Sequence, residues 1–407
     1  MPSFRLVAIA VFAVSCAASA EEGPFDARMK DHKSALTAGG GSSGKGGTEE
    51  AVLAGLRWLA RHQSENGSWS SSGFQKLCPE KTPCAGTGAG QYDTGLTALV
   101  LLAFAGAGKT DLDKEEYVDP VTGKTMCWGT TVHNGLTWLM DGQGPDGCFV
   151  KNKGAQYMYN HMVAAAAMAE IFAMTKNAAW EKSARLGLDF TLAAQNPGAG
   201  WRYTSRSGDS DASATAWGVT SLMAARAAGF EFDKKSFADA LAWVDGATDE
   251  KTFKTGYNGK GTGKVVMIGK NDKFDDHPTM TGAGLVIRIG SGAKKTDAVI
   301  SGGERVLLAD VPKNLPLKID YYYWYYGTEA LFLSDGPSGG TWMQWNTALK
   351  AALLPAQATK KEGCLEGSWD PAVDRWSFDV GRIFSTAINV LSLEVYYRIR
   401  PAYVKGK

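Results

Sequence analysis

The chain has 407 residues, 44% hydrophobic and 21% charged, enough for one large globular domain or two small ones. Lys and Arg number 43 against 42 Asp and Glu, a net charge of +1. No basic excess points to nucleic acid, and no charge block points to an acidic or membrane partner.

The first twenty residues, MPSFRLVAIAVFAVSCAASA, read as an export signal. Arg5 supplies a positive start, Leu6 to Val14 an apolar stretch, and Ala18-Ser19-Ala20 a cleavage site. A rival reading makes Cys16 the lipid-bearing residue of a lipoprotein signal, a lipid anchor. The apolar run falls short of the roughly 20 residues that a membrane span needs. Export permits disulfides. Past the signal stand Cys78, Cys84, Cys127, Cys148 and Cys364. Cys78 with Cys84, and Cys127 with Cys148, are the plausible pairs, leaving Cys364 over. There is no C-x-x-C, and His32, His62, His133, His161 and His277 show no zinc-ligand spacing. No metal site and no cofactor are therefore expected.

Residues 21–47 are polar and end in TAGGGSSGKGG, which predicts a flexible linker. From Thr48 a pattern begins. In TEEAVLAGLRWLARHQSENGSW, Ala51, Ala54, Leu56, Trp58 and Leu59 fall near helical spacing, Thr48 suits an N-cap and Asn66-Gly67 a turn. YDTGLTALVLLAFAGAG follows and is apolar on nearly every side, as a helix buried all round must be.

The pair then recurs. HNGLTWLMDGQGPDGCF precedes YMYNHMVAAAAMAEIFAMT, and SARLGLDFTLAAQNPGAGWRY precedes DSDASATAWGVTSLMAARAAG. SFADALAWVDGATDEKTFKTGY precedes HPTMTGAGLVIRIGSG, and AVISGGERVLLADVP precedes DYYYWYYGTEALFLSDG. WNTALKAALLPAQATKKEGCLEGSW precedes FSTAINVLSLEVYYR. Each first helix is amphipathic and each second one almost wholly apolar or small. Six such hairpins predict an all-α (α/α)6 toroid over residues 48–400, with buried helices in an inner ring, amphipathic ones outside, and a short tail at 401–407.

The turns carry a family resemblance. Gln63-Ser-Glu-Asn-Gly67-Ser-Trp69 resembles the Gln-Trp repeat of squalene–hopene cyclases and related triterpene cyclases. Gln195 to Trp201 is close to it, Gln143 to Phe149 keeps Gln and Gly, and Gln357 pairs with Gly367-Ser-Trp369 across a longer insert. Together they are similar to the prenyltransferase and squalene-oxidase repeat group, which shares the toroid with protein prenyltransferase β subunits and complement-type thioester domains. The resemblance implies structural work for Gln63, Trp69, Gln195, Trp201 and Trp369: the glutamine ties helix ends and the tryptophan packs over them.

Asp209-Ser-Asp211-Ala-Ser-Ala-Thr215-Ala216 resembles the D-x-D-D-T-A acid motif of the cyclases. By that match Asp211 is the catalytic acid and Asp209 its helper. The sequence departs from the motif at Ala212 and by two residues before Thr215. The structural alternative makes Asp211 or Ser213 an N-cap. The zinc ligand set of a protein prenyltransferase and the thioester Gly-Cys-Gly-Glu-Gln pattern are not found.

In such a ring the inner helix N-termini share one mouth, where unpaired N–H groups favour anions and polar groups. Residues starting those helices are candidates for binding a small-molecule or glycan ligand: Tyr92, Asp93, Tyr159, His161, Trp217, Asp320, Tyr321, Trp324 and Tyr325. The run Tyr321 to Tyr326 is expected to be part core and part pocket wall. Three functions stay open: a terpenoid cyclase- or prenyltransferase-like enzyme, a polysaccharide lyase or inverting glycosidase using Asp93, Asp209, Asp211 or Asp320, and a non-catalytic exported binding toroid.

Overall fold

A computed structural model describes residues 25–29, 32–42, 47–79, 83–262 and 265–399. The expected signal, Cys16 and the tail lie outside the described residues. In chain order the helices are α1 (Asp26–Met29), α2 (His32–Ala38), α3 (Thr48–Arg61) and α4 (Asp93–Gly106). A small antiparallel pair follows, β1 (Glu116–Val118) and β2 (Thr125–Cys127), with Glu116 facing Cys127. Then come α5 (Trp128–Gly142), α6 (Tyr157–Thr175), α7 (Ala178–Ala194), α8 (Ala212–Ala227), α9 (Lys235–Gly246) and α10 (Thr279–Gly290). The last are α11 (Ala298–Leu308), α12 (Tyr321–Asp335), α13 (Gly340–Leu353), α14 (Ser377–Leu393) and α15 (Val395–Arg398).

The six hairpins form two concentric rings. Inner helices α4, α6, α8, α10, α12 and α14 pack in that order, and α14 packs back on α4. The first outer helix, α3, packs on both α14 and α4, so the ring is closed. Composition explains the layers. The inner α6 is buried from Asn160 to Phe172, whereas the outer α7 buries a stripe through Trp180, Ala184, Gly187, Leu188 and Thr191.

A repeated bond ties neighbouring hairpins. The Nε2 of Gln63 donates to the carbonyls of Gly67 and of Thr131 in α5, each at 2.9 Å. Gln143 likewise joins Gly147 to Ser183 of α7, and Gln195 joins Ala199 to Ser236 of α9. Gln357 joins Gly367 to Ala51 of α3, both at 2.8 Å, which links the last hairpin to the first. The indole N–H groups of Trp69, Trp201 and Trp369 donate to Leu59, Thr191 and Leu353 carbonyls near the ends of the preceding outer helices. Gly67 sits at φ +92°, where a Cβ would meet the Asn134 carbonyl, so the turn needs glycine.

Two expectations are corrected. The linker over 21–47 is not featureless: α1 and α2 dock on the ring. Leu36 is buried, Trp342 donates its indole N–H to the Gly39 carbonyl at 2.9 Å, and the Arg28 guanidinium binds Glu170 at 2.7 Å and the Arg398 carbonyl. A few anchors in a polar, glycine-rich stretch suffice for this, and composition averages them away. The β1–β2 hairpin, inserted between α4 and α5, was likewise not expected.

The aromatic run of α12 fills the ring. Asp320 caps the helix by accepting from the Tyr323 N–H at 2.8 Å. Tyr321, Tyr323, Trp324, Tyr325 and Tyr326 are each at most 1% exposed, and Tyr322 alone is half-buried. Trp217 of α8 stacks on Tyr325, meets Tyr326 edge-on and donates its indole N–H to the Tyr322 hydroxyl at 3.2 Å. Since α10 stands between α8 and α12 in the ring, these side chains meet across its interior.

Candidate functional site

The N-terminal ends of the inner helices meet at one mouth, stitched by their own side chains. The Asn160 Oδ1 accepts from the Gly95 N–H, and its Nδ2 donates to the Gln91 carbonyl at 3.0 Å. The N–H groups of Met158 and Ala212 donate to Tyr203 and Tyr257 carbonyls. Partly exposed aromatic side chains stand around this mouth: Tyr92, Tyr159, Tyr203, Tyr257, Tyr322 and Trp376.

Asp211 is fully buried and caps α8. Its Oδ1 accepts from the Ala214 N–H at 2.8 Å, the Ser213 hydroxyl at 2.7 Å and, more weakly, the Tyr159 hydroxyl at 3.4 Å. Its Oδ2 is buried and accepts no hydrogen bond among the described residues; the Arg202 Nε stands 3.9 Å away. Burial pushes the carboxyl's pKa up, against the pull of Ala214, Ser213 and Arg202. One oxygen thus serves the cap, while the other is left buried and unpartnered among the described residues.

Asp209, by contrast, is exposed and ion-paired with the Arg202 guanidinium. Asp93 accepts from the Ser71 N–H at 2.9 Å and hydroxyl at 3.0 Å, and burial raises its pKa. The Tyr92 hydroxyl donates to the Asp379 Oδ2 at 2.7 Å; burial and that carboxylate push its pKa up to about 12. Asp320 is buried, accepts from the Trp376 indole N–H at 3.2 Å and faces Arg375 at 4.0 Å. Burial raises its pKa.

Five expected aromatic ligand contacts sit inside the core. Tyr321, Trp324 and Tyr325 point between layers or into the ring, because six successive helical positions cannot share one face. His161 is wholly buried: its Nδ1 accepts from the Phe149 N–H at 3.3 Å, and Nε2 pairs with the Thr191 hydroxyl at 3.0 Å. Burial drives its pKa down to about 3. The unfolded chain therefore takes a proton near pH 6.5 that the folded one refuses until about pH 3. Stability from this residue is present above pH 6.5 and is lost as pH falls towards 3. A His161→Gln variant is expected to flatten that loss, read from urea midpoints between pH 7 and 4. Trp217 is 4% exposed and belongs to the ring's filling.

Tyr203, Tyr257, Arg202, Asp379 and Trp376 were not anticipated. Tyr203 and Tyr257, whose hydroxyls bond to each other, lie in loops ahead of α8 and α10, outside the helix starts where candidates were sought. The signal was a tyrosine beside a glycine- or tryptophan-marked turn in each.

The cysteines also depart from expectation. None of the five forms a disulfide. The Cys127 thiol donates to the Asp113 carbonyl at 3.5 Å, while Cys148 is buried in the core. Cys78, Cys84 and Cys364 converge on His62, with all four ligand atoms within 4.8 Å of one another. Sequence spacing gives no sign of this cluster, because His62 and Cys364 lie 302 residues apart.

No protein-family model and no curated protein sequence matches the chain. Solved structures do. An inactive variant of an α-1,6-mannanase from Salegentibacter sp., in complex with α-1,6-mannotriose, aligns at TM-score 0.53 and 11% identity over 86% of this chain and 99% of that one. The type II terpene cyclase MstE from Scytonema aligns at TM-score 0.51 and 12% identity over 86% and 98%. An α-amylase from Clostridium perfringens aligns at TM-score 0.51 and 10% identity over 85% and 97%. At these identities the likeness shows the fold alone: an (α/α)6 toroid of the kind found in terpene cyclases and in glycan-cleaving enzymes.

Proposed function

We propose that this toroid binds an uncharged ligand across the mouth of its inner ring and that Asp211 serves it as a neutral acid. The observation that carries this reading is the Asp211 carboxyl. Oδ1 is used up by the Ser213 and Ala214 donors, while Oδ2 is buried, unpartnered and in surroundings that favour its proton. A carboxylic acid kept protonated near neutral pH is a proton donor. Arg202, held by Asp209, covers Oδ2, so a ligand reaching the acid displaces that guanidinium.

The substrate class follows from where there is room. A terpenoid chain, the first expectation from the resemblance, needs an enclosed apolar chamber. Trp217, Tyr322, Tyr325 and Tyr326 occupy the inside of this ring. The half-exposed aromatic faces at the rim instead suit sugar rings lying across the mouth, so we read the ligand as a glycan. Asp93 or Asp379 is then the second carboxylate of a hydrolase, needed about 6.5–9.5 Å from the first for inversion. The export signal expected at residues 1–20 fits a protein that meets polysaccharides outside the cell. No helix among the described residues is long and apolar enough to cross a membrane.

The test is a panel of oligosaccharides and isoprenoids, read by thermal shift and by release of reducing ends. Oligosaccharides are expected to stabilise the protein, and Asp211→Asn to lower turnover about 10²–10⁴-fold while keeping binding. Stabilisation by isoprenoids and not by sugars overturns the glycan assignment. Stabilisation by sugars without turnover makes the toroid a binding protein, and unchanged turnover in Asp211→Asn removes the acid role.

A further inference from the structure

The geometry points to a structural zinc site made by His62, Cys78, Cys84 and Cys364, clamping the seam where the sixth hairpin meets the first. His62 ends α3 of the first hairpin, Cys78 and Cys84 belong to the loop leading to α4, and Cys364 lies in the loop between α13 and α14. The three sulfurs stand 3.5 Å (Cys364), 3.6 Å (Cys78) and 3.9 Å (Cys84) from the His62 Nε2. A tetrahedral zinc with Zn–S of about 2.3 Å and Zn–N of about 2.0 Å requires nitrogen-to-sulfur separations near 3.6 Å. The apices of that tetrahedron are already in place.

Hydrogen bonding to His62 does not by itself account for the convergence. The His62 Nδ1 lies 2.8 Å from the Trp58 carbonyl, which can only accept, so Nδ1 carries the proton and Nε2 keeps a lone pair. One lone pair takes one donor, yet three sulfurs surround it. A shared atom at their centre accounts for all three. The Nδ1–H bond to a backbone carbonyl is also the outer-shell partner that orients metal-binding imidazoles.

The surroundings suit thiolates. The Cys84 N–H donates to the Cys78 sulfur at 3.3 Å. Three thiolates on Zn²⁺ leave one net negative charge. Arg61, which donates to the Cys364 carbonyl and pairs with Asp119, and Arg382, which donates to the Ala85 carbonyl at 2.7 Å and pairs with Asp370, stand beside it. Three cysteines and one histidine, with His62, Cys84 and Cys364 buried, make a closed four-ligand set with no position left for substrate. The site therefore holds the ring shut, beside the Gln357–Ala51 bond across the same seam. It is independent of the reading of the mouth.

Purified full-length protein, prepared without chelators, is expected to carry about one zinc per chain by mass spectrometry. Cobalt(II) exchanged into it is expected to give thiolate-to-metal charge-transfer absorption and the strong visible bands of a tetrahedral site. A chelator is expected to strip the metal and lower Tm by several degrees. Cys364→Ser is expected to lose the metal; should it not fold, Cys78→Ser, at the most exposed ligand, is expected to fold with weakened zinc binding and a chelator-insensitive Tm. Protein that holds no metal when offered zinc or cobalt, or native protein with a Cys78–Cys84 disulfide, overturns the proposal.

Discussion

A Trp324→Ala variant is expected to lose about 3–5 kcal/mol of stability, the cost of emptying a buried aromatic site. Ligand binding at the mouth is expected to survive. Trp324 is 1% exposed and packs edge-on against Tyr321, whose own ring is just as buried. Neighbours in a ring of packed helices relax only in part, so the loss includes a cavity as well as transfer of the indole. Denaturant unfolding measures the first effect, and thermal shift with the best oligosaccharide measures the second. A variant of unchanged stability but lost binding shows that Trp324 faces the ligand, contrary to the structure.

The second large effect lies at the opposite end of the inner ring, where the chain termini close it. Arg398 donates to Glu329 at 2.6 Å and to the Leu391 carbonyl, and its guanidinium stands 5.6 Å from the Tyr325 ring. Its own carbonyl receives Arg28, which is paired with Glu170. Burial pushes the pKa of Glu394, fully buried nearby, well up despite Arg398 and Arg28. Arg398→Ala strands the Glu329 carboxylate in the core, and removing one partner of a buried pair costs about 3–5 kcal/mol. The double variant Arg398→Met, Glu329→Leu is expected to recover most of that loss, because the desolvation of both charges disappears together. Urea unfolding of the single and double variants decides it. An additive double variant shows that the pair does not act as a unit.

The inner helices were legible one by one. The segment DTGLTALVLLAFAG has no polar face to give to water, so its burial follows from its own residues, and α4 is buried from Leu96 to Gly106. The resemblance of their turn to the Gln-Trp repeat implied structural roles for Gln63 and Trp69, which tie the Thr131 and Leu59 carbonyls. Asp211 was found through its place before an inner helix, but only the folded chain reveals that Oδ1 serves the cap and leaves Oδ2 unpartnered.

The aromatic run marks the limit of such reading. Its composition announced burial or stacking, and its position placed it at the start of an inner helix. Which of its rings faces water depends on what stands opposite, and Trp217 comes from a helix two places round the ring. The same holds for His62 and Cys364, separated by 302 residues. The hairpins, their alternation of half-exposed and buried helices, and hence the toroid were readable from local residues, because helical periodicity and apolar content are local properties. That the ring is filled, that α1 and α15 close one end, and that three cysteines meet one histidine emerge only when the chain folds. Those facts depend on ring closure, which brings the last hairpin against the first.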